Sequence, residues 1–191
     1  MTPAEILRRQ AHALQNCRQC KLCEGRTNVV FGSGNPTAEF VVIGEGPGAD
    51  EDAQGLPFVG RAGQLLTKML AAIDFSRDDV YITNAVLCRP PGNRNPEADE
   101  LAACAPFLAD KLAVIQPKVI LSLGSVATQS LLRTKEAIGK LRGRVHPYGE
   151  VVLVPTFHPA FLLRNPGPEY KRMAWEDLKL ARREYDKRRT R

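Results

Sequence analysis

No apolar run in the 191-residue chain approaches the length of about 18 residues that a membrane-spanning helix requires. The opening stretch, MTPAEILRRQAHALQ, has charges where a secretory signal needs an apolar segment, and it predicts an amphipathic helix instead. Internal repeats and low-complexity linkers are also absent from the sequence. These absences exclude a membrane-embedded chain, and we expect a cytoplasmic protein with a single domain that covers residues 1–191.

The sequence also lacks the even number of cysteines that a disulfide framework needs, because it has five. In a cytoplasmic protein, a CxxC pair followed by two distant cysteines is typical of a four-thiolate metal site, either zinc or an iron-sulfur cluster. The last two cysteines are separated by 15 residues, which fits a cluster that bridges loops better than a second zinc knuckle. The five positions are Cys17, Cys20, Cys23, Cys88 and Cys104.

The spacing of these cysteines leaves several alternatives open. Cys17, Cys20 and Cys23 match the CxxCxxC run of bacterial ferredoxins, although a cluster needs only four thiolates. Zinc is not excluded, and five unrelated buried thiols are a further alternative. A metal here would either staple the N-terminal segment to a helix or serve as a redox centre, and the residues alone do not choose.

Charge is distributed unevenly along the chain. The net charge of +6 and the isoelectric point near 9.2 favour a polyanionic partner. Residues 171–191 contain nine Lys and Arg against four Asp and Glu, whereas residues 45–52 contain four acids and no base. The pattern indicates basic surface around an acidic pocket, although a solvated helix face explains the basic tail equally well.

Short apolar segments rich in Val and Ile alternate with segments of helical periodicity. This alternation predicts an α/β fold, a three-layer α/β/α sandwich with a central four-stranded parallel sheet. The predicted strands are Phe40–Gly44, 80–86, 119–124 and Val151–Thr156. The predicted helices after the N-terminal one are 63–73, 96–115, 125–132 and 177–185.

In such sheets, ligands bind beyond the carboxyl ends of the strands. The loops after Gly44, Val86, Gly124 and Thr156 are therefore the candidate site. The first of these, residues 44–49, formally satisfies the GxGxxA dinucleotide fingerprint. Three acids follow it immediately, and they would repel a pyrophosphate.

We therefore favour a loop whose glycines let a flat ligand approach closely. In this interpretation Glu45 and Glu51 are functional carboxylates, and Asp50 and Asp52 are solvated acids of a turn. Three further side chains are candidates for the same rim. Phe58 is either core or a platform that stacks on a base, Asn84 is an amide inside an apolar strand, and His158 follows the last strand.

Four motifs are distributed over nearly the whole length of the chain. They are CxxCxLxxxR at 17–26, GEGPGADED with GLPFVGRAGQLL at 44–66, ITNxVxCRPPxNRxP at 82–96, and FHPAFLLRN at 157–165. Through these motifs the chain resembles the family 4 uracil-DNA glycosylases of the iron-sulfur type. The resemblance implies the uracil-DNA glycosylase fold for one domain, residues 1–191, with the N-terminal cysteine segment included.

The resemblance further implies a 4Fe-4S cluster and a uracil pocket. The implied cluster ligands are Cys17, Cys20, Cys88 and Cys104, because the family motif requires no cysteine at position 23. The implied pocket consists of the backbone of Glu45, Gly46 and Pro47, with Phe58 stacked on the base, Asn84 at its polar edge and His158 at its O2. Related members that form a covalent adduct have a basic, His-containing insertion before the CRP segment, which this chain lacks. We therefore expect turnover without a trapped adduct.

The implied reaction is hydrolysis of the N-glycosidic bond of deoxyuridine in DNA, which leaves an abasic site for base excision repair. Neutral His158 would donate to the departing uracil, Asn84 would reject cytosine, and Glu45 or Glu51 would orient water or stabilise the sugar cation. Residues 160–163 are candidates to fill the gap left by the flipped base. The candidate DNA contacts are Arg89, Arg94, Lys140, Arg142, Arg144 and Arg164.

The expected partner is uracil-containing DNA, single- or double-stranded. We expect a cytoplasmic protein of the prokaryotic type that is associated with the nucleoid when it is on DNA. We expect a monomer, and replication or repair proteins are candidate partners. Two other classes of protein fit part of the pattern. One is a cluster-bearing DNA-binding module without glycosylase activity, and the other is a ferredoxin-like electron carrier, which would leave the polar rim unexplained.

Overall fold

The computed structural model describes residues 1–190 and has a six-stranded mixed sheet at its centre. The strands are β1 (Ser33–Gly34), β2 (Phe40–Gly44), β3 (Tyr81–Asn84), β4 (Val119–Leu123), β5 (His146–Tyr148) and β6 (Val151–Thr156). Their order across the sheet is β1-β3-β2-β4-β6-β5. The four strands β3, β2, β4 and β6 pair in parallel, so the prediction of a parallel α/β core is confirmed.

The prediction of a sheet with only four strands was wrong. Two short strands, β1 and β5, extend the sheet at its edges, and both pair antiparallel. Neither carries the run of buried Val and Ile that identifies a central strand, since β1 is Ser-Gly and β5 is His-Pro-Tyr with only partial burial. Proline in β5 is compatible with this position because an edge strand can lack one ladder donor.

Helices cover both faces of the sheet. In chain order they are α1 (Pro3–Leu14), α2 (Ala49–Gln54), α3 (Arg61–Ala72), α4 (Ala98–Ile115), α5 (Gly124–Leu132), α6 (Ile138–Leu141), α7 (Pro159–Arg164) and α8 (Pro168–Arg188). The predicted N-terminal helix is present and begins with a capping box between Thr2 and Glu5. The last helix is much longer than the predicted 177–185. Only a narrow stripe of the helix is buried, and the many charged residues of its exposed face obscure the helical periodicity in the sequence.

The sheet separates two apolar layers, as alternation along each strand requires. Phe40, Val42 and Leu121 point to one side, where α3, α7 and α8 pack. Val41 and Ile43 point to the other side, where α1 and α4 pack. None of the helices in residues 1–190 combines the length and the apolar character that a bilayer crossing requires.

One acidic side chain of the loop after β2 is part of the interior. Asp52 was predicted to be a solvated acid, but it is only 5% exposed. Its Oδ1 accepts hydrogen bonds from the backbone N–H groups of Thr27 at 2.8 Å and Asn28 at 3.2 Å. The Asn28 side-chain amide also donates to the Asp52 carbonyl at 2.7 Å. Asp52 therefore fastens the cysteine-bearing N-terminal segment to α2.

Replacing Asp52 with alanine should lower the free energy of unfolding by about 1–3 kcal/mol, because two N–H groups then lose their acceptor. The matched control is Asp50→Ala on the same helix, where the side chain is exposed and the change should stay within about 0.5 kcal/mol. Urea unfolding followed by circular dichroism would measure both. Equal stability of the two variants would show that Asp52 has no anchoring role.

Candidate active site at the carboxyl edge of the sheet

A cleft of about 400 Å³ lies beyond the carboxyl ends of the central strands. The segments after β2, β3 and β6 line it, in agreement with three of the four predicted loops. The fourth, after β4, does not line the cleft, because Gly124 turns directly into α5 and lies behind His158. The cleft therefore brings together Glu45, Gly46, Pro47, Glu51, Phe58, Asn84 and His158.

Asn84 is the last residue of β3 and is only 1% exposed. Its side-chain Oδ1 has no hydrogen-bond partner within residues 1–190, although it is buried. Leaving such an acceptor unpaired costs about 1–3 kcal/mol. A ligand with an N–H group directed at this oxygen would recover that cost, so Asn84 is placed to recognise a donor.

His158 is the N-cap residue of α7, and this position determines its tautomer. Its Nδ1 accepts a hydrogen bond from the backbone N–H of Ala160 at 3.0 Å. A neutral imidazole whose Nδ1 is an acceptor carries its proton on Nε2. Burial and, to a smaller extent, the positive charge of Arg164 lower the pKa of His158 to about 4, although Glu51 opposes the shift. His158 is thus a neutral hydrogen-bond donor at physiological pH, on the edge that lines the cleft.

Phe58 forms an apolar wall beside this histidine. The two rings are stacked, with centroids 5.7 Å apart and an angle of 29° between their planes. Phe58 has a positive φ of 51°, which is uncommon for a residue with a bulky side chain. The turn is possible because Gly63 packs directly on it, where a Cβ atom would be 1.9 Å from the Phe58 carbonyl oxygen.

The two candidate carboxylates occupy different environments. Glu51 uses both carboxylate oxygens to accept backbone N–H groups, from Gly48 at 3.1 Å and from Val59 and Gly60 at 2.8 Å each. Glu45 is half-buried, and no group of residues 1–190 donates a hydrogen bond to its carboxylate. Burial raises the pKa of Glu45 above its ordinary value, and the positive charge of Arg164 opposes this rise.

The predicted basic contacts fall into two groups. Arg164 and Arg94 line the cleft, and Arg94 is held there by a bidentate ion pair with the buried Glu100, at 2.8 Å for both contacts. Arg89 donates from Nε to Asn93, a cleft residue, at 2.7 Å.

The other predicted basic contacts lie away from the cleft. Arg142 donates to the buried Asp177 at 2.7 and 2.9 Å, an internal ion pair that occupies its guanidinium. Arg144 donates to the carbonyl of Lys140, and both residues are on the surface around α6. The structure therefore does not bring Lys140, Arg142 or Arg144 to the cleft.

The sequence interpretation missed several cleft residues. Arg61, Asn93 and Asn95 also line the cleft, and none of the three was predicted. For Asn93 the sequence contained a signal, because an asparagine that follows Pro-Pro-Gly is typical of a tight turn. The structure confirms such a turn, since Asn93 has a positive φ of 58°. Arg61 begins α3, and no pattern in the sequence relates that helix start to the loop after β2.

A second, much smaller cavity of about 10 Å³ is lined by Cys17, Cys20, Cys88 and Cys104. The rest of its wall is mostly apolar and includes Leu14, Val29, Leu87 and Phe107. Burial raises the pKa of the Cys88 thiol to about 11, and it also raises the pKa values of Cys20 and Cys104. The fifth cysteine, Cys23, does not line this cavity, and it faces a surface depression with Asn16 and Arg18.

The four sulfurs do not form a ready-made site for a single metal ion. A tetrahedral zinc site with bonds of about 2.3 Å holds its sulfurs roughly 4 Å apart. Within residues 1–190, no three His, Cys, Asp or Glu side chains are grouped closely enough to hold one metal ion. Four thiol donors around an apolar cavity suit a group wider than one ion, and Arg26 adds a donor at 3.5 Å from the Cys88 sulfur.

The sequence matches a known family of proteins. A family model described as the uracil DNA glycosylase superfamily matches residues 31–179. A type-4 uracil-DNA glycosylase of Thermotoga maritima is 44% identical over 183 residues, which cover 95% of this chain and 95% of that protein. Type-4 enzymes of Saccharolobus solfataricus and Sulfurisphaera tokodaii are 47% and 43% identical, over 82% and 87% of this chain and 76% and 79% of those proteins.

The chain therefore belongs to the type-4 uracil-DNA glycosylase family within that superfamily. This confirms the family and the fold that the four sequence motifs implied. The roles of individual residues are a separate matter, because a family match does not test them.

The protonation state of His158 can be measured directly. Because Nδ1 accepts from Ala160 and burial lowers the pKa to about 4, nitrogen NMR should show the Nε2–H tautomer from pH 8 down to about pH 5. Protonation should follow only as the pH falls through about 4. A midpoint between pH 6 and 7, where an ordinary histidine titrates, would contradict the proposed environment.

Proposed function

We propose that this chain hydrolyses the N-glycosidic bond of deoxyuridine in DNA, releases uracil and leaves an abasic site for base excision repair. One observation carries the proposal. The buried, unpaired acceptor of Asn84 and the neutral donor of His158 both line the cleft next to the Phe58 ring. We call this part of the cleft, between Asn84, His158 and Phe58, the slot. The names of the type-4 relatives support the same substrate.

The slot has the hydrogen-bonding pattern that distinguishes uracil from cytosine. Uracil presents an N3–H donor beside the O4 acceptor, whereas cytosine presents a bare N3 beside an amino group. Asn84 accepts from N3–H with Oδ1 and donates to O4 with its amide nitrogen, while the base stacks on Phe58. Cytosine would leave both groups of Asn84 unpaired in a buried site, at a cost of about 1–3 kcal/mol for each.

Cleavage separates charge, because the uracil leaves with negative charge and the sugar becomes positive. His158 donates from Nε2 to the uracil O2, where negative charge develops. The neutral state of His158 suits this role, because a neutral imidazole can donate a hydrogen bond to O2 without carrying a positive charge or an extra proton to transfer. The base has to leave the stack of the DNA helix to reach the slot. The backbone of Glu45, Gly46 and Pro47 forms the remaining boundary of the slot.

Glu45 is the carboxylate that acts on the sugar side. Its oxygens are free of protein donors, so an ionised Glu45 can orient a water molecule and stabilise the sugar cation. Glu51 has a different part, because its three backbone hydrogen bonds shape the loop between Gly48 and Gly60. These different contacts support Glu45 rather than Glu51 as the carboxylate that acts on the sugar.

DNA is held by the basic side chains at the mouth of the cleft. Arg164, Arg94 and Arg89 are placed to contact phosphates, on single- or double-stranded DNA. The α7 segment 160–163 precedes Arg164 and is available to occupy the gap left by the flipped base. Arg142 has no such role because it does not line the cleft.

The four cysteines that line the second cavity, Cys17, Cys20, Cys88 and Cys104, hold a 4Fe-4S cluster. When bound, such a cluster supplies a rigid four-point link between chain segments, together with a centre that can exchange one electron. Burial favours the protonated thiols of Cys20, Cys88 and Cys104, so these three residues would have to give up their protons in order to bind the cluster. The enzyme works on chromosomal DNA in the cytoplasm, as a monomer.

The first test is excision from an oligonucleotide with one uracil, followed by alkaline scission at the abasic site. His158→Ala should lower the single-turnover rate about 100- to 1000-fold, because a donor to the leaving group is lost. Asn84→Asp should lose uracil excision and gain activity on cytosine. The control Asn84→Ala should also lose uracil excision but should gain no activity on cytosine. Binding of DNA without scission by the unmodified chain would support a DNA-binding module, and no interaction would support an electron carrier.

The second test is the pH dependence of single-turnover excision. Glu45 must be ionised to act, and its pKa is raised above 4.5, so the rate should fall with decreasing pH through a midpoint above 4.5. His158 is not expected to set this limb, because it stays neutral down to about pH 4. Glu45→Gln should be slow and should lack the acid limb, whereas Glu51→Gln should keep it. The opposite result for the two variants would transfer the role to Glu51.

The third test addresses the cluster through iron and sulfide content. Cys88→Ser should lose iron and sulfide and the brown chromophore, because a buried ligand to the cluster is removed. Cys23→Ser is the matched control and should retain about four iron atoms per chain, since its side chain faces a different depression. Loss of iron in Cys23→Ser, or zinc in the purified protein, would contradict the assignment.

A further inference from the structure

Arg77 lies behind the cleft, between α3 and β3, and no part of the proposed mechanism uses it. Its side chain is half-buried and reaches the turn that carries the Phe58 ring. One terminal nitrogen donates to the Phe58 carbonyl at 2.8 Å, and the other donates to the Pro57 carbonyl at 2.7 Å. A single guanidinium therefore binds two consecutive carbonyl groups of the turn.

This turn needs an external support. Phe58 has φ of 51°, a conformation that costs free energy for a bulky residue and persists only where its surroundings hold it. Gly63 packs against the same carbonyl from α3. Arg77 also donates to the Thr67 hydroxyl at 3.3 Å, and this hydroxyl donates to the Gly63 carbonyl at 3.1 Å. These hydrogen bonds connect the Phe58 turn to α3 through the Arg77 side chain.

We propose that Arg77 is a positioning residue that sets the plane of the Phe58 ring, and thereby the stacking of the uracil, without touching the substrate. The proposal rests on the function proposed above. Arg77 does not line the cleft, whereas Phe58 lines both the cleft and a shallow surface cavity that contains Arg77. The ring thus separates the base on one side from the guanidinium that fixes its backbone on the other.

Lysine cannot replace this contact. The planar guanidinium presents two parallel N–H donors at a fixed spacing, and the two carbonyls accept one each. A lysine ammonium is a single point of charge on a flexible stem, so it would satisfy one carbonyl at a time. The cavity around Arg77 is open to solvent, which lets a small cation enter if the side chain is removed.

The experiment compares DNA with and without a base to stack. Binding to an oligonucleotide with uncleavable 2′-fluorodeoxyuridine should weaken about 10- to 100-fold in Arg77→Ala, since stacking on the ring is lost. Binding to a tetrahydrofuran abasic site should stay within about twofold, because no base is present. Lys68→Ala, an exposed cation on α3, is the control and should leave both affinities unchanged. Equal weakening for both oligonucleotides would overturn the proposal.

Chemical rescue and a double-mutant cycle separate positioning from general damage to the fold. Millimolar guanidinium should restore excision by Arg77→Ala, methylammonium should not, and Arg77→Lys should resemble Arg77→Ala. In a Phe58→Ala background, Arg77→Ala should have no further effect, because both changes remove the same ring contact. Absence of rescue, or additive losses, would refute the role of Arg77. An unmodified chain that releases no uracil would instead refute the proposed function.

Discussion

The cleft depends on one pair of neighbouring residues in the sheet. Parallel pairing of β2 with β3 sets Gly44 beside Asn84 at the carboxyl ends of both strands. A Cβ atom on Gly44 would be 2.6 Å from the Asn84 oxygen and 2.5 Å from the Phe58 ring. The amide and the ring can therefore close over the same backbone position only because it is glycine. A shift of one residue in this register would move Asn84 to the opposite face of the sheet and separate the three groups.

The cleft and the cysteine cavity are mechanically connected through a short stretch of chain. Cys88 lines the cavity, and Pro90, Asn93 and Arg94, a few residues later, line the cleft. Arg94 is held by Glu100, whose side chain is fully buried and whose pKa is lowered to about 2 by this contact. The same carboxylate binds Lys21 of the N-terminal cysteine segment at 3.4 Å. The cysteine cavity and the wall of the cleft are thus connected both along the chain and through the ion pairs of Glu100.

The sequence was sufficient for features that depend on periodicity and strand ends. The four parallel strands follow from runs of Val and Ile, and the position of Asn84 and His158 on one rim follows from where those strands end. It was insufficient where tertiary hydrogen bonds decide. Asp52 and Glu51 belong to one acidic run, yet Asp52 binds residues 27 and 28 and Glu51 binds residues 59 and 60. Those partners are distant in sequence, so no local pattern distinguishes the two acids from a solvated turn or from Glu45.

Arg164 resolves a conflict between the two proposed reacting side chains. Burial favours the neutral form of both, which suits His158 but opposes the ionised form that Glu45 needs in order to support a sugar cation. The positive charge of Arg164 lowers the pKa of both groups. It therefore reinforces the neutral histidine and at the same time favours the ionised glutamate. A single exposed cation at the end of α7 thus moves each group toward the protonation state that the proposed reaction requires, and this role is separate from any contact with phosphate.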